Sequence, residues 1–163
     1  MDEPFSIAVA QWGIGRVAEA LGDLPQMVNA LERAHEICGR YRLNLLLPYG
    51  AYSLGHAYAL SGRHDEALSL MEEWVPRCLP LAGGANHTRG LRQWGMAQLS
   101  AGRPDAALEL ARQARELSRS RGERGEEAWC LHLLGQIVAH RDAFEAETAE
   151  SYFERSRSLA GEL

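Results

Sequence analysis

Long hydrophobic runs and a basic N-terminal segment are both missing from this 163-residue sequence. No apolar stretch approaches the roughly 18 residues that a membrane-spanning helix needs, so no membrane span is predicted. The first residues, MDEPFSIAVAQW, carry acids where a secretory signal peptide carries basic residues. We therefore expect a soluble, cytoplasmic protein with no membrane partner.

An excess of basic charge is also missing. The sequence has 17 lysines and arginines against 22 aspartates and glutamates, which gives a net charge of −5. Proteins that bind nucleic acids mainly through the phosphate backbone collect basic residues instead. This balance predicts that the chain does not bind nucleic acid.

Aromatic residues are few, at 7%, whereas alanine and leucine dominate a hydrophobic content of 46%. Alanine and leucine are among the best helix formers, so the composition suits an all-helical protein. A chain of this length can bury one sizeable core. We predict a single domain over residues 1–163.

Only three cysteines are present, Cys38, Cys78 and Cys130, and no CxxC pair occurs. Cys38 and Cys78 are 40 residues apart, which is the period of the repeat described below and places them at equivalent positions of neighbouring repeat units. Stacked helices lie about 10 Å apart, whereas a disulfide needs Cα atoms within about 7 Å. The cysteines are therefore predicted to be reduced thiols.

Catalytic and metal-binding motifs are missing too. There is no HExxH or GxSxG motif, and the pair His132 and His140 shares a helix face with Gln136 but has no third ligand nearby. The segment GIGRVA at residues 13–18 imitates a dinucleotide-binding loop, but its second glycine, Gly15, is explained by the repeat described next. We predict no enzyme activity, no catalytic residue, no metal and no cofactor.

The sequence does contain a repeat with a period of 40 residues. Residues that recur at this spacing form three columns and one further pair. The first column is Gly15, Gly55, Gly95 and Gly135; the second is Gly22, Gly62 and Gly102; the third is Ala34, Trp74 and Ala114; and Ala67 pairs with Ala107. Three columns at one spacing predict that one supersecondary unit is repeated along the chain.

The clearest unit, residues 48–80, predicts a pair of antiparallel helices joined by a turn at Gly62. Small residues at Gly55 and Ala67 would let the two helices approach closely. Eight helices in four units are expected by the same reasoning. The predicted helices are 4–21, 25–40, 44–61, 65–75, 86–101, 104–121, 125–140 and 147–160, with an insertion at 141–146, and the units are about 4–43, 44–83, 84–123 and 124–163.

These residues resemble the tetratricopeptide repeat (TPR), whose pattern is W-x2-L-G-x2-Y, then A-x3-F, then P. The second and third units carry the closest matches, although the period of 40 exceeds the usual period of about 34. The resemblance implies an all-α, right-handed superhelical solenoid of four antiparallel helix pairs that binds a protein or peptide. The matching residues are Leu54, Gly55, Tyr58 and Ala67 in the second unit, and Trp94, Gly95, Ala107 and Ala111 in the third.

A narrower resemblance lies in ARELSRSRGERGEEAWCLHLLGQIVAH and AETAESYFERSRSLAGEL. These segments are similar to the helical repeats that follow the ATPase module of bacterial multidomain regulators. Such regulators include adenylate or guanylate cyclase-linked ATPases and LuxR-type activators. The resemblance implies a sensor or regulatory fragment of a larger signalling protein.

In tetratricopeptide solenoids the first helix of each pair lines the concave groove. The candidate groove residues are those that face away from the seam of each first helix. They are Trp12 and Arg16; Tyr49, Tyr52 and His56; Arg89, Arg92 and Met96; and Trp129, His132 and Gln136. Aromatic anchors and arginines that contact anions favour a peptide bearing carboxylates.

Other interpretations of these residues stay open at this point. The aromatic residues could pack between neighbouring units, and the arginines could be solvated or paired with nearby glutamates. The whole array could instead be a self-associating scaffold or bind a small-molecule effector. If the groove interpretation holds, Arg92→Glu is expected to weaken the binding of an acidic ligand and to leave the fold intact.

Overall fold

The structure, a computed structural model, describes residues 3–78, 87–141 and 145–162. Within these ranges every regular element is helical, so the all-α prediction is confirmed. One short 3-10 turn, Pro76–Cys78, follows the fourth helix. The α-helices are α1 (Pro4–Leu21), α2 (Leu24–Arg40), α3 (Leu47–Leu60), α4 (His64–Trp74), α5 (His87–Ser100), α6 (Pro104–Arg121), α7 (Arg124–Arg141) and α8 (Ala146–Gly161).

The helices form two compact units, which differ from the four repeat units: unit 1 is Met1–Ala85 and unit 2 is Asn86–Leu163. In unit 1, α1 packs on α2, α2 on α3, and α3 on α4. Unit 2 repeats this order, with α5 on α6, α6 on α7 and α7 on α8, and α5 also contacts α7. Each unit thus consists of two consecutive helix pairs. One domain over residues 1–163 stays a prediction.

The first glycine column marks a close approach between the two helices of each pair. A Cβ atom added to Gly55 would lie 2.7 Å from Met71 Cγ, and one added to Gly15 would lie 2.7 Å from Leu31 Cγ. One added to Gly95 would lie 3.4 Å from the Ala107 carbonyl oxygen. Contacts this short leave little room for a methyl group between close-packed helices. The column therefore reflects tight packing, as the repeat predicted.

The second glycine column ends the first helix of three pairs. Gly22 has φ 73°, and Gly62 and Gly102 have φ 77° and 72°. This left-handed conformation closes the helix C-terminus and strains any residue with a Cβ atom. After Gly22, the Asp23 carboxylate accepts a hydrogen bond from the backbone N–H of Gln26 at 3.1 Å and caps α2.

The start of α3 differs from the prediction. We expected the helix to begin at Asn44, but it begins at Leu47. The preceding turn explains the delay, because Arg42 has φ 54° and the backbone N–H of Leu43 donates to the Cys38 carbonyl at 2.8 Å. These bonds close the end of α2, so the chain cannot enter a new helix until the turn is complete.

The remaining helix bounds agree with the predictions to within one residue at most ends. Helix α4 ends at Trp74, two residues before Pro76, and a proline disfavours helix in the residue that precedes it. Residues 79–86, between α4 and α5, and residues 142–144 of the predicted insertion lie outside the described residues. Cys38 and Cys130 are buried free thiols, as expected, whereas the Cys78 side chain lies outside the described residues.

Candidate partner-binding surface

In unit 2, helices α5 and α7 bring a group of predicted groove residues together. The centre of the group is Arg92, whose Nε lies 3.0 Å from Glu126 Oε2 and whose guanidinium carbon lies 5.5 Å from the centroid of the Trp129 ring. Its Nη1 also donates to Met96 Sδ at 3.5 Å. We call this group and its neighbours on the same two helices the Trp129 surface. It comprises Arg89, Arg92, Met96, Trp129, His132 and Gln136.

Trp129 is the most accessible large side chain of this surface. All four tryptophans are described, and Trp129 is the one that is exposed, at 59%. The His132 ring contacts it edge-on with centroids 6.2 Å apart, and the Phe153 ring of α8 lies 5.3 Å behind His132. Phe153 in turn packs over Gly135, where an added Cβ would be 2.7 Å from its ring. The Trp129 indole therefore packs against His132 on one side and is exposed to solvent over much of the rest of its surface.

Arg92 is part of the packed structure rather than a free cation. The residue is 7% exposed, and its charge is matched by Glu126. This is the internal arginine–glutamate pair that the sequence left open as an alternative. A glutamate at position 92 would face Glu126 in a buried environment, where like charges are costly. The expectation that Arg92→Glu leaves the fold intact is corrected accordingly.

The other residues of the Trp129 surface differ in accessibility. Arg89 and Met96 on α5 are half-buried, as is His132 on α7, whereas Gln136 is exposed. The surface thus joins an exposed indole to a polar, partly accessible border.

In unit 1, the predicted groove residues of α1 and α3 are connected through two residues that the sequence analysis did not single out. The Trp12 indole N–H donates to Ser53 Oγ at 3.1 Å, and the Arg16 guanidinium carbon lies 5.9 Å from the Trp12 ring. Glu19 lies between two candidates, 3.7 Å from Arg16 Nε and 3.4 Å from His56 Nε2. Trp12, Arg16 and His56 therefore belong to one polar cluster.

Burial corrects the roles of two candidates in unit 1. Tyr52 is fully buried and contacts the half-buried ring of Tyr49 edge-on at 6.3 Å. His56 is 5% exposed. A side chain without accessible surface cannot serve as an anchor for an incoming ligand, so Tyr52 and His56 support the fold instead. Tyr52 is thus a packing residue and not a ligand contact, whereas packing of the aromatic residues between neighbouring repeat units stays a prediction.

Glu19 and Glu126 are two acidic contact residues that the sequence did not point to. Each lies three residues from a predicted groove residue on the same helix, Glu19 after Arg16 and Glu126 before Trp129. Residues three apart are neighbours on a helix surface. A search for acids one turn away from each candidate would have found both.

Metal-ligating side chains and thiols can be located among the described residues. Within residues 3–78, 87–141 and 145–162, no three His, Cys, Asp or Glu side chains are grouped in a way that could hold a metal ion. Burial raises the pKa of the Cys130 thiol to about 12 and also raises that of Cys38. Among the residues that the structure describes, no helix is long and apolar enough to cross a membrane.

Two segments of the chain match the tetratricopeptide repeat model, residues 48–73 and 91–113. These are the helix pairs α3–α4 and α5–α6, which contain the glycine contacts described above. The fold is TPR-like. Repeats of this kind generally mediate protein–protein interactions.

Solved structures support the same fold. Two crystal structures of a Podosopora anserina protein, described as a kinesin light chain with nearly identical TPR-like repeats, are each 19% identical to this chain. In both comparisons 95% of this chain and 75% of the other are covered, with TM-scores of 0.68 for a form carrying one substitution and 0.64 for the other. Similarity at this level of identity shows the fold alone. No curated protein matches the sequence.

Proposed function

We propose that this chain is a protein-interaction module that binds a peptide or helical segment of a partner on the Trp129 surface. Trp129 would insert into an apolar part of the ligand or accept an apolar side chain against its ring. The proposal follows from the exposure of this indole above a packed support of His132 and Phe153.

Energetic considerations favour Trp129 as the main contact. Tryptophan is enriched among residues that dominate binding energies, because its large ring buries much apolar area at low entropic cost. The Arg92 guanidinium near the ring and the His132 edge restrict the indole before any ligand arrives. Such pre-organisation lowers the entropy lost on binding.

The charges of the surface suggest where an acidic ligand would bind. Arg92 is already paired with Glu126, so a ligand carboxylate would have to compete with that glutamate. Arg89 lies three residues earlier on α5 and is half-buried, so part of it is accessible to a ligand. We propose that a ligand carboxylate approaches the accessible part of Arg89. In unit 1, the Trp12 and Arg16 pair offers a similar combination of aromatic ring and cation.

In the cell, we propose that this module is the regulatory part of a larger signalling protein. The support is the resemblance of residues 114–140 and 146–163 to repeats of bacterial ATPase-linked and LuxR-type regulators. Ligand binding to the repeats would then alter the activity of a domain outside this chain.

A peptide-display selection on the folded chain tests the binding proposal. The strongest selected peptide is titrated against the wild type, Trp129→Ala and Tyr41→Ala, since Tyr41 is also an exposed aromatic residue, at 53%. Removal of a hot-spot side chain costs at least about 2 kcal/mol, so Trp129→Ala should weaken binding roughly 30-fold. Tyr41→Ala should leave binding unchanged. Peptides that bind Trp129→Ala as well as the wild type would overturn the proposal.

A further inference from the structure

Helix α1 exposes a largely apolar face whose one charged side chain is Arg16, which lies 3.7 Å from Glu19. Nine of its residues are exposed, and all are apolar or small apart from one serine. They are Phe5, Ser6, Val9, Ala10, Gly13, Ile14, Val17, Ala20 and Leu21. The largest remain substantially accessible, with Val17 at 60% and Leu21 at 75%. An exposed helix face normally carries charged and polar residues.

Helix α8 shows what an ordinary exposed face looks like in the same chain. Its exposed residues include five charged ones. They are Glu147, Glu150, Glu154, Arg155 and Arg157. The apolar face of α1 is therefore a local feature and not a general property of the surface helices. The largest contiguous apolar patch on the surface of a monomer often has a function.

A glycine, Gly13, lies at the centre of this face. It lies in the interior of α1, where glycine is destabilising relative to alanine. A Cβ atom added at Gly13 would meet no atom within 4 Å, whereas one at Gly15 would meet Leu31 at 2.7 Å. Nothing within the described chain requires a glycine at position 13. A glycine at this position leaves room for the close approach of another backbone.

We propose that the α1 face binds the same face of a second copy of this chain, with the two α1 helices antiparallel and crossing at Gly13. Phe5, Val9, Gly13, Val17 and Leu21 are spaced by four residues and form one ridge along the helix. Two-fold symmetry about Gly13 places Phe5 opposite Leu21 and Val9 opposite Val17. The ridge is thus complementary to itself, as an isologous dimer contact must be.

The charge pattern and the area favour a second copy as the occupant. Pairing this face with itself buries one charged side chain per copy, Arg16, whose partner Glu19 lies 3.7 Å away, whereas pairing it with the charged face of α8 would bury five charged side chains. The large exposed side chains of α1 leave roughly 500 Å² of apolar surface per copy, so a dimer would bury roughly 1,000 Å², the lower limit for a specific interface. This surface shares no residue with the Trp129 surface, so the two proposals stand independently.

Sedimentation equilibrium of the 163-residue chain over micromolar to millimolar concentrations tests the dimer. We expect twice the 18.0 kDa chain mass at high concentration. Val17→Glu should raise the dissociation constant at least about 100-fold without changing the helical circular dichroism, because it places a charge in the apolar contact. Leu60→Glu is the matched control, because Leu60 is also exposed, at 51%, but lies on α3. It should leave the dissociation constant unchanged.

Two further variants test the geometry of the contact. Gly13→Ala should weaken the dimer at least about 10-fold while the isolated chain stays folded, because a methyl group at the crossing point separates the helices. Disulfide cross-linking should join copies carrying Val9→Cys to copies carrying Val17→Cys, whereas Leu21→Cys should not cross-link to itself. A folded wild-type chain that stays monomeric, a dimer that tolerates Val17→Glu, or a dimer that tolerates Gly13→Ala would overturn the proposal.

Discussion

Replacing Gly55 by alanine should destabilise the protein, although alanine is the better helix former. The new Cβ would lie 2.7 Å from Met71 Cγ, 3.1 Å from Met71 Cε and 3.3 Å from the Ala67 carbonyl oxygen. Methionine can rotate its terminal atoms away, but Cγ is close to the backbone and the carbonyl oxygen is part of α4. The two helices would therefore have to move apart.

The expected magnitude follows from two opposing contributions. Overpacking of a tight core costs about 1–3 kcal/mol. Alanine in place of glycine in a helix returns up to about 1 kcal/mol. The net effect should be a loss of about 1–2 kcal/mol in the free energy of unfolding. Gly95→Ala should lose less, because its nearest neighbours would lie at 3.2, 3.4 and 3.5 Å.

Urea unfolding followed by circular dichroism measures this effect. The midpoint should fall in the order wild type, Gly95→Ala, Gly55→Ala, with an unchanged slope, since the exposed surface is the same. Thermal midpoints should fall by roughly 2–4 °C per kcal/mol. Gly39→Ala in α2 is the matched control, because an added Cβ there meets no atom within 4 Å, and it should be at least as stable as the wild type. A Gly55→Ala protein as stable as the wild type would refute the close-packing explanation of the glycine column.

Two further predictions concern buried ionisable groups. Arg92→Ala should lower the free energy of unfolding by about 1–3 kcal/mol, which is less than the loss of a partner in a fully buried ion pair, because Glu126 keeps 25% exposure. Glu126→Gln should lower the free energy of unfolding less in the Arg92→Ala background than in the wild type. Strictly additive losses would contradict a paired contact. Burial lowers the pKa of His35 and His87 below the ordinary 6.5, so their neutral forms are favoured in the fold. Their contribution to stability is complete above about pH 6.5 and is lost as the pH falls through the lowered values, so the urea midpoint should be lower at about pH 5.5 than at about pH 7.5, with a smaller difference in a variant lacking both histidines. A difference that is the same in that variant would contradict the assignment.

The repeat unit was predictable from the sequence because backbone geometry requires glycine at particular places. Gly22 ends α1 in a left-handed conformation, and Gly55 lies where two helices touch. Both requirements recur in neighbouring units, so they produced columns with one spacing. Four helix pairs followed from those columns. The start of α3 did not, since the turn at Arg42 depends on hydrogen bonds that no residue pattern specifies.

The candidate site was less predictable, because a helical face indicates a direction but not what covers it. Tyr52 and His56 lie on α3, in which 11 of 14 residues are buried. That helix contains no Asp, Glu, Lys or Arg, and a helix that is apolar on all sides is usually buried. The composition of α3 therefore already indicated a buried helix and not the wall of an accessible groove. On α7 the acids Glu126 and Glu127 near Trp129 indicate an exposed side, and the tryptophan is accessible.

The binding role of Trp129 is tested most directly by the indole N–H signals of the 15N-labelled protein, which contains four tryptophans. The Trp129 signal is assigned as the one that disappears in Trp129→Phe, and a display-selected peptide is then titrated into the wild type. We predict that the Trp129 signal shifts with the same dissociation constant as the bound peptide, while the Trp74 signal stays in place. A peptide that binds with full affinity and leaves the Trp129 signal unchanged would contradict the proposed surface.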